Sequence, residues 1–194
     1  MGLEDYINKR KFDKTPEPKG ELGKEDAQRF VIQRHQARRL HYDVRLEMEG
    51  VLKSWAVPKG PSMNPSDKRL AIMTQDHPVK YLTFHGIIPK GNYGAGVMDI
   101  WDEGTYQVSA SDDVSDPIKQ LEKGDLKIEF FGKKVKGTFA LVRTNRGSEN
   151  NQWLLIKKKD SFATDLEYDA EVFAASAKAI KSGKIKALNP QEFI

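Results

Sequence analysis

Cysteine is absent from the 194-residue chain, and histidine occurs only four times. Without a thiol there is no disulfide framework, no thiolate nucleophile, no iron–sulfur cluster and no cysteine-type zinc site. Any bound metal must be held by His, Asp or Glu. Long apolar runs are also missing. Apolar residues make up 38% of the chain, and no run approaches the ~18 residues of a membrane-spanning helix. The opening Met1-Gly2-Leu3-Glu4-Asp5-Tyr6 is acidic and lacks an apolar stretch, so it does not read as a signal peptide. Tyr6 stands where a myristoylation signal needs Ser or Thr. These absences predict an intracellular protein with no membrane partner, and the length predicts one domain.

The net charge is only +4, but it is concentrated. Residues 1–28 carry six basic and seven acidic groups, whereas residues 29–45 hold five of the nine arginines and a single aspartate. Guanidinium forks suit bidentate contact with phosphate better than a lysine point charge does.

Residues 1–28 read as an irregular arm, with a short helix near 3–9 ahead of the Thr15-Pro16-Glu17-Pro18 break. From Phe30 onward the pattern predicts short strands at 29–33, 40–47, 51–56, 70–74, 97–103, 105–108, 125–131, 137–142 and 152–157. Hairpin turns are expected at Glu49-Gly50, Glu103-Gly104 and Phe131-Gly132-Lys133-Lys134. A helical turn is expected at 117–123 and a C-terminal helix at 169–181. Many short strands without alternating helices predict a mainly β fold, an antiparallel barrel. Its parts are an arm (1–28), a barrel core (29–160) and a C-terminal helix with tail (161–194).

The segment His35-Gln36-Ala37-Arg38-Arg39-Leu40-His41-Tyr42-Asp43-Val44-Arg45-Leu46-Glu47 carries the chemistry. With period two, Leu40, Tyr42, Val44 and Leu46 face a core, and His41, Asp43, Arg45 and Glu47 face the other way. His41 and Asp43 can share a metal ion, with His35 folding back from the preceding loop as a third ligand. Two histidines and one carboxylate leave coordination positions open, as Mn or Fe sites do, and zinc accepts the same donors. Arg45 lies one strand repeat further on, which suits a metal-bound phosphate ester. His77, beside Pro78, fits an acid–base or phosphate-binding role, with a turn histidine paired to Asp76 as the alternative. Lys59 and Arg69 bracket a Pro/Gly/Ser loop within reach of a phosphate. Tyr42, Trp55, Tyr81, Tyr93 and Trp101 are stacking candidates, though most such residues fill cores.

These stretches resemble the 3′-phosphoesterase domain of bacterial ligase D and its stand-alone relatives. The likeness rests on residues 30–35 with 40–47, and on Leu52-Lys53-Ser54-Trp55-Ala56-Val57-Pro58-Lys59-Gly60-Pro61-Ser62. It continues through Asp76-His77-Pro78, Gly91-Asn92-Tyr93-Gly94-Ala95-Gly96, Ile100-Trp101-Asp102-Glu103-Gly104 and the segments 137–143 and 153–157. The resemblance implies a β-barrel that heals 3′ ends in DNA repair by non-homologous end joining. A phosphodiesterase step would remove a terminal ribonucleoside and a phosphomonoesterase step the remaining 3′-phosphate. It implies metal ligands at His35, His41 and Asp43, with Mn2+ preferred and Co2+ or Zn2+ as other options. Catalytic or phosphate-binding groups are implied at Arg45, Lys59, Arg69, His77 and Tyr81. Substrate contacts are expected from Arg10 and Glu17 in the arm and from Arg38 and Arg39 in the basic segment. The expected partners are DNA or RNA–DNA 3′ ends and the ligase and polymerase domains or subunits of end joining. The expected location is cytoplasmic and nucleoid-associated. Two positions depart from the family, which usually has an acidic residue in place of Lys11 and often glutamate in place of Gln75. A non-catalytic end-binding module and a two-histidine, one-carboxylate oxygenase are the alternative readings.

Overall fold

The computed structural model describes residues 2–23, 27–109, 116–144 and 150–174. Ten strands form: β1 (Arg29–Gln36), β2 (Leu40–Met48), β3 (Val51–Val57), β4 (Lys68–Met73), β5 (His77–Pro78), β6 (Gly86–Ile88), β7 (Gly96–Val108), β8 (Asp125–Gly132), β9 (Lys136–Arg143) and β10 (Gln152–Lys157). Two short helices, α1 (Leu3–Asn8) and α2 (Pro117–Lys123), accompany them. The order β1-β2-β3-β4-β10-β9-β8-β7 closes on itself because β7 also pairs with β1. All of these pairings are antiparallel, so the barrel expected from the sequence is present, with eight strands and no free edge in the closed wall. Small β5 and β6 attach to β3 and β7.

Alternation decides what each wall face meets. Tyr42, Val44 and Leu46 of β2 and Trp55 and Val57 of β3 join Phe30, Phe130, Phe139 and Trp153 in the principal core. The opposite residues form the outer wall. There a second apolar cluster, Tyr6, Leu52, Tyr81, Phe84, Ile88 and Met98, seats α1 and the 3-10 turn Val79–Thr83. Tyr6 of the arm is fully buried and donates its hydroxyl to the Pro18 carbonyl at 2.6 Å. The arm is thereby folded down onto the barrel.

Turn chemistry sets the register of the central hairpin. Glu49 and Gly50 have φ of 49° and 75°, the two positive values a tight two-residue hairpin needs, and Met48 faces Val51. The carbonyl of Gly50 accepts the Gly23 amide at 2.8 Å, which pins the end of the arm there.

Three expectations are corrected. First, β1 runs to Gln36 rather than ending at Gln33, so His35 sits on a strand and not in a loop. Second, 97–103 and 105–108 are one strand, β7, and Glu103-Gly104 is no turn. Gly104 is there for space: an added Cβ would lie 2.3 Å from the Phe131 carbonyl oxygen and 3.0 Å from the Phe30 ring. Backbone cannot move aside as a side-chain tip does, so Gly104→Ala is expected to cost ~1–3 kcal/mol in urea unfolding. Third, the expected C-terminal helix begins as the 3-10 turn Ala170–Phe173, and its remainder, from 175 on, lies outside the described residues. Among the described residues no helix is long and apolar enough to cross a membrane.

Candidate metal and phosphate site

The outer wall of β1 and β2 gathers the ionisable row. His35 stands directly opposite His41 in the hairpin register, with ring centroids 4.7 Å apart. Asp43 follows two residues on, and donor atoms of His35, His41 and Asp43 all lie within 4.8 Å of one another. His35 and Asp43 are buried and His41 is half-buried, so the cluster opens to solvent on the His41 side.

Two backbone carbonyls fix both imidazole tautomers. A carbonyl only accepts, so His35 donates from Nε2 to Gly94 at 2.9 Å, and His41 donates from Nδ1 to Arg39 at 2.9 Å. The other ring nitrogens turn toward Asp43. His35 Nδ1 and His41 Nε2 each sit 3.5 Å from an Asp43 carboxylate oxygen. Buried His35 Nδ1 has no hydrogen-bond partner. Two imidazole nitrogens and a carboxylate oxygen converging in this way make a donor set for a cation. Fixing the distal nitrogen by a carbonyl is also how metal-ligating histidines are held. These residues therefore fit a divalent ion.

Arg45 lies beside this cluster and is almost fully buried. Its guanidinium donates to Gln33 Oε1 at 2.6 Å, Ser54 Oγ at 3.0 Å and Asp43 Oδ2 at 2.9 Å, and it stacks 4.7 Å from the Tyr81 ring centre. Burial would raise the Asp43 carboxyl pKa. Arg45, acting together with the adjacent His35 and His41, outweighs burial and holds it well below the usual carboxylate range. From the arm, Arg10 pairs with fully buried Glu17 at 3.1 Å and lies 3.9 Å over Tyr6. Glu17 also accepts from the Tyr81 hydroxyl at 2.9 Å and from Thr15 at 2.9 Å.

His77, on β5, donates from Nδ1 to the Gln75 carbonyl at 2.9 Å, which leaves the lone pair on Nε2. The alternative pairing with Asp76 does not form, because that carboxylate takes Lys53 at 2.8 Å. Burial, reinforced by Arg45 and Arg10 and opposed by Asp43, pushes the His77 pKa well below 6.5. The Tyr6 and Tyr81 rings that pack on it are kept neutral, chiefly by their own burial. The unfolded chain then binds a proton that the folded chain refuses, so stability is fully present above the unfolded pKa and is lost as pH falls through the folded one. Urea unfolding in chelator between about pH 7 and pH 5 is expected to show this loss, and His77→Gln is expected to flatten it.

Arg10, His35, His41, Asp43, Arg45, His77 and Tyr81 line one pocket of about 200 Å³. Glu17 stands behind Arg10. Arg38 and Arg39 are exposed on the β1–β2 turn at the pocket's edge, where Ala37 is part of the lining. Lys59 and Arg69 are elsewhere, in a second pocket of about 420 Å³ with Tyr42, Tyr168 and Glu171. Arg69 shares its strand face with the core residue Ala71 and is held by Asp67 at 2.8 Å and the Tyr168 carbonyl at 2.6 Å. Of the two departures, Lys11 is exposed, while Gln75 is buried in the pocket wall and accepts from Lys9 at 3.4 Å. Gln33, Ser54 and the Gly94 carbonyl are site members that the sequence reading missed. Period-two alternation from His35 would have placed Gln33 on the same face.

Fold and site define a class: a small antiparallel β-barrel with a His-His-Asp cluster of metal-site geometry on its outer wall, faced by buried guanidinium groups. Residues 33–143 match the DNA ligase D 3′-phosphoesterase domain, and the chain belongs to that family. It is similar to the multifunctional non-homologous end joining protein LigD of Pseudomonas aeruginosa, 46% identical over 85% of this chain and 19% of that protein. The LigD protein of Mycolicibacterium smegmatis is 41% identical over 92% of this chain and 23% of its own length. The Mycobacterium tuberculosis protein is 46% identical over 80% and 19%. The chain thus spans about a fifth of the length of these relatives.

Proposed function

We propose that the chain is a metal-dependent 3′-phosphoesterase that cleans DNA or RNA–DNA 3′ ends in end joining, removing a terminal ribonucleoside and then the 3′-phosphate. The observation that carries the reading is the convergence of His35 Nδ1 and His41 Nε2 on the Asp43 carboxylate, each at 3.5 Å, beside the Arg45 guanidinium. His35, His41 and Asp43 hold the ion. Mn2+ is the ion that the family resemblance implies, and two imidazoles with one carboxylate also accept Co2+ or Zn2+. Once bound, the ion supplies Lewis-acid polarisation of the phosphoryl group and an acidified water.

The protein groups do the rest. Arg45, held rigid by three partners, stabilises charge that develops on the phosphoryl oxygens without having to reorganise. Arg10 adds a second guanidinium from the arm, held in place by Glu17 and Tyr81. His77 offers a neutral Nε2 that accepts a hydrogen bond from the attacking water or a ribose hydroxyl. Arg38 and Arg39 meet the flanking phosphates from the turn, a contact weakened by salt. Lys59 and Arg69, in the other pocket, serve the substrate only where a strand extends around the barrel end. Ligase and polymerase domains or subunits of end joining are the proposed recipients of the healed end. The guanidinium pair favours an anionic ester over the small-molecule oxygenase alternative.

The test is release of inorganic phosphate from a labelled 3′-phosphate primer, with Mn2+ and with chelator. Metal-dependent release is expected at 3′ ends and not at 5′-phosphate ends. Salt-sensitive binding without any turnover would leave only the end-binding reading.

A further inference from the structure

Tyr93 stands apart from the other aromatic residues of the site. Tyr6 and Tyr81 are buried to within 1% of their surface, whereas Tyr93 keeps 51% of its surface open while lining the same pocket as His35, His41 and Asp43. A loose loop is not the reason. Its turn is braced by Asn92, whose side chain donates to the Pro89 carbonyl at 3.0 Å and the Lys14 carbonyl at 3.2 Å, and by the Ala95 amide, which donates to Asn92. The next residue, Gly94, supplies the carbonyl that orients His35. The Tyr93 ring is therefore placed with reference to the metal ligands.

Cations surround it. The Arg10 guanidinium lies 3.9 Å from the Tyr6 ring centre and 5.2 Å from that of Tyr93, so one arginine contacts both a buried and an exposed tyrosine. Lys9 Nζ is also 5.2 Å from the Tyr93 ring. It reaches across to Gln75 with a long 3.4 Å hydrogen bond, a weak tether for an ammonium group. An exposed aromatic flanked by cations at the mouth of a phosphate pocket is what an unstacked nucleobase and its backbone recognise.

We infer that Tyr93 is the stacking platform for the base of the 3′-terminal nucleotide, with Lys9 facing the phosphodiester that joins it to the strand. The inference rests on the proposed 3′-phosphoesterase activity and adds a nucleobase subsite to it. Every base has a π-face, so the subsite accepts all four and discriminates against a sugar that carries none.

Two 3′-phosphate primers test it, one with a normal terminal nucleoside and one ending in a base-free tetrahydrofuran residue. Roughly tenfold higher kcat/KM is expected for the base-bearing end, in line with the worth of one stacked base. Tyr93→Ala brings the ratio close to one, and Tyr93→Phe, which keeps the ring, preserves it. The ratio of Kd values for the two primers in metal-free buffer follows the same order. Equal kcat/KM and Kd for the two primers with the native chain would overturn the subsite. So would a Tyr93→Ala chain that loses activity on both primers alike with the ratio intact, since Tyr93 would then act only by supporting Arg10. Absence of turnover on either primer removes the phosphoesterase reading, and the Kd ratio still decides the subsite.

Discussion

His41→Ala is expected to lower phosphate release by at least about 100-fold, because losing a ligand costs more than the ~10–100-fold that losing a ligand's hydrogen-bond partner does. His41 is the appropriate ligand to remove. It is the most exposed of the three, and its one hydrogen bond goes to the Arg39 carbonyl at the turn, so its loss leaves the barrel intact. The folding consequence is as informative as the activity. In the native chain the three donor atoms already lie within 4.8 Å of one another, so an ion would bind the folded state in preference to the unfolded one. At 100 times Kd a ligand that binds only the folded state adds ~2.7 kcal/mol of stability. For a chain of this length that raises Tm by roughly 5–10 °C. Mn2+ is expected to produce that shift in the native chain and little or none in His41→Ala. Asp43→Asn is expected to behave the same way toward the ion.

Arg45→Ala is expected to be damaging in a different way, to the fold as well as to turnover. The side chain is 3% exposed and is, among the described residues, the one guanidinium or ammonium group bonded to Asp43, so its removal strips a buried carboxylate of that counter-charge and leaves Gln33 Oε1 without its donor. Breaking one side of a buried pair costs ~3–5 kcal/mol. That is a large part of the ~5–15 kcal/mol by which domains are stable. Urea midpoints read this cost directly. Arg45→Lys returns a positive charge to Asp43 and recovers part of the stability. A single ammonium cannot reach Gln33, Ser54 and Asp43 in one plane, so activity is expected to stay ~100–1,000-fold down. A lysine variant with native activity would mean that Arg45 serves only to neutralise Asp43.

How much of this was legible in the sequence depended on the kind of information each part needed. Alternation along 40–47 gave the face shared by His41, Asp43 and Arg45, because period two follows from strand geometry alone. The place of His35 was less visible, since it depends on where the β1–β2 turn closes, and Ala37-Arg38-Arg39 carries no strong turn chemistry. The Gly94 carbonyl is a backbone group and leaves no trace in residue type. The apolar run of strand β4 does not reveal its inward face: Leu70 is 43% exposed and Ala71 faces the core. Arg69 therefore points to the barrel end, away from the His-His-Asp cluster. Gly104 read as a turn for a related reason, since a glycine needed for close packing looks the same in sequence as one needed for a bend. The family resemblance identified the arm residues Arg10 and Glu17, which no local pattern singled out.

One ion on His35, His41 and Asp43 is expected to make the chain act on 3′-phosphates. Equilibrium dialysis against Mn2+, with phosphate release from a 3′-phosphate primer followed in the same samples, tests it most directly. The expected result is one ion bound per chain, release that rises in proportion to occupancy, and loss of both in Asp43→Asn. Undiminished release from the dialysed, metal-free protein, or from Asp43→Asn, would contradict it.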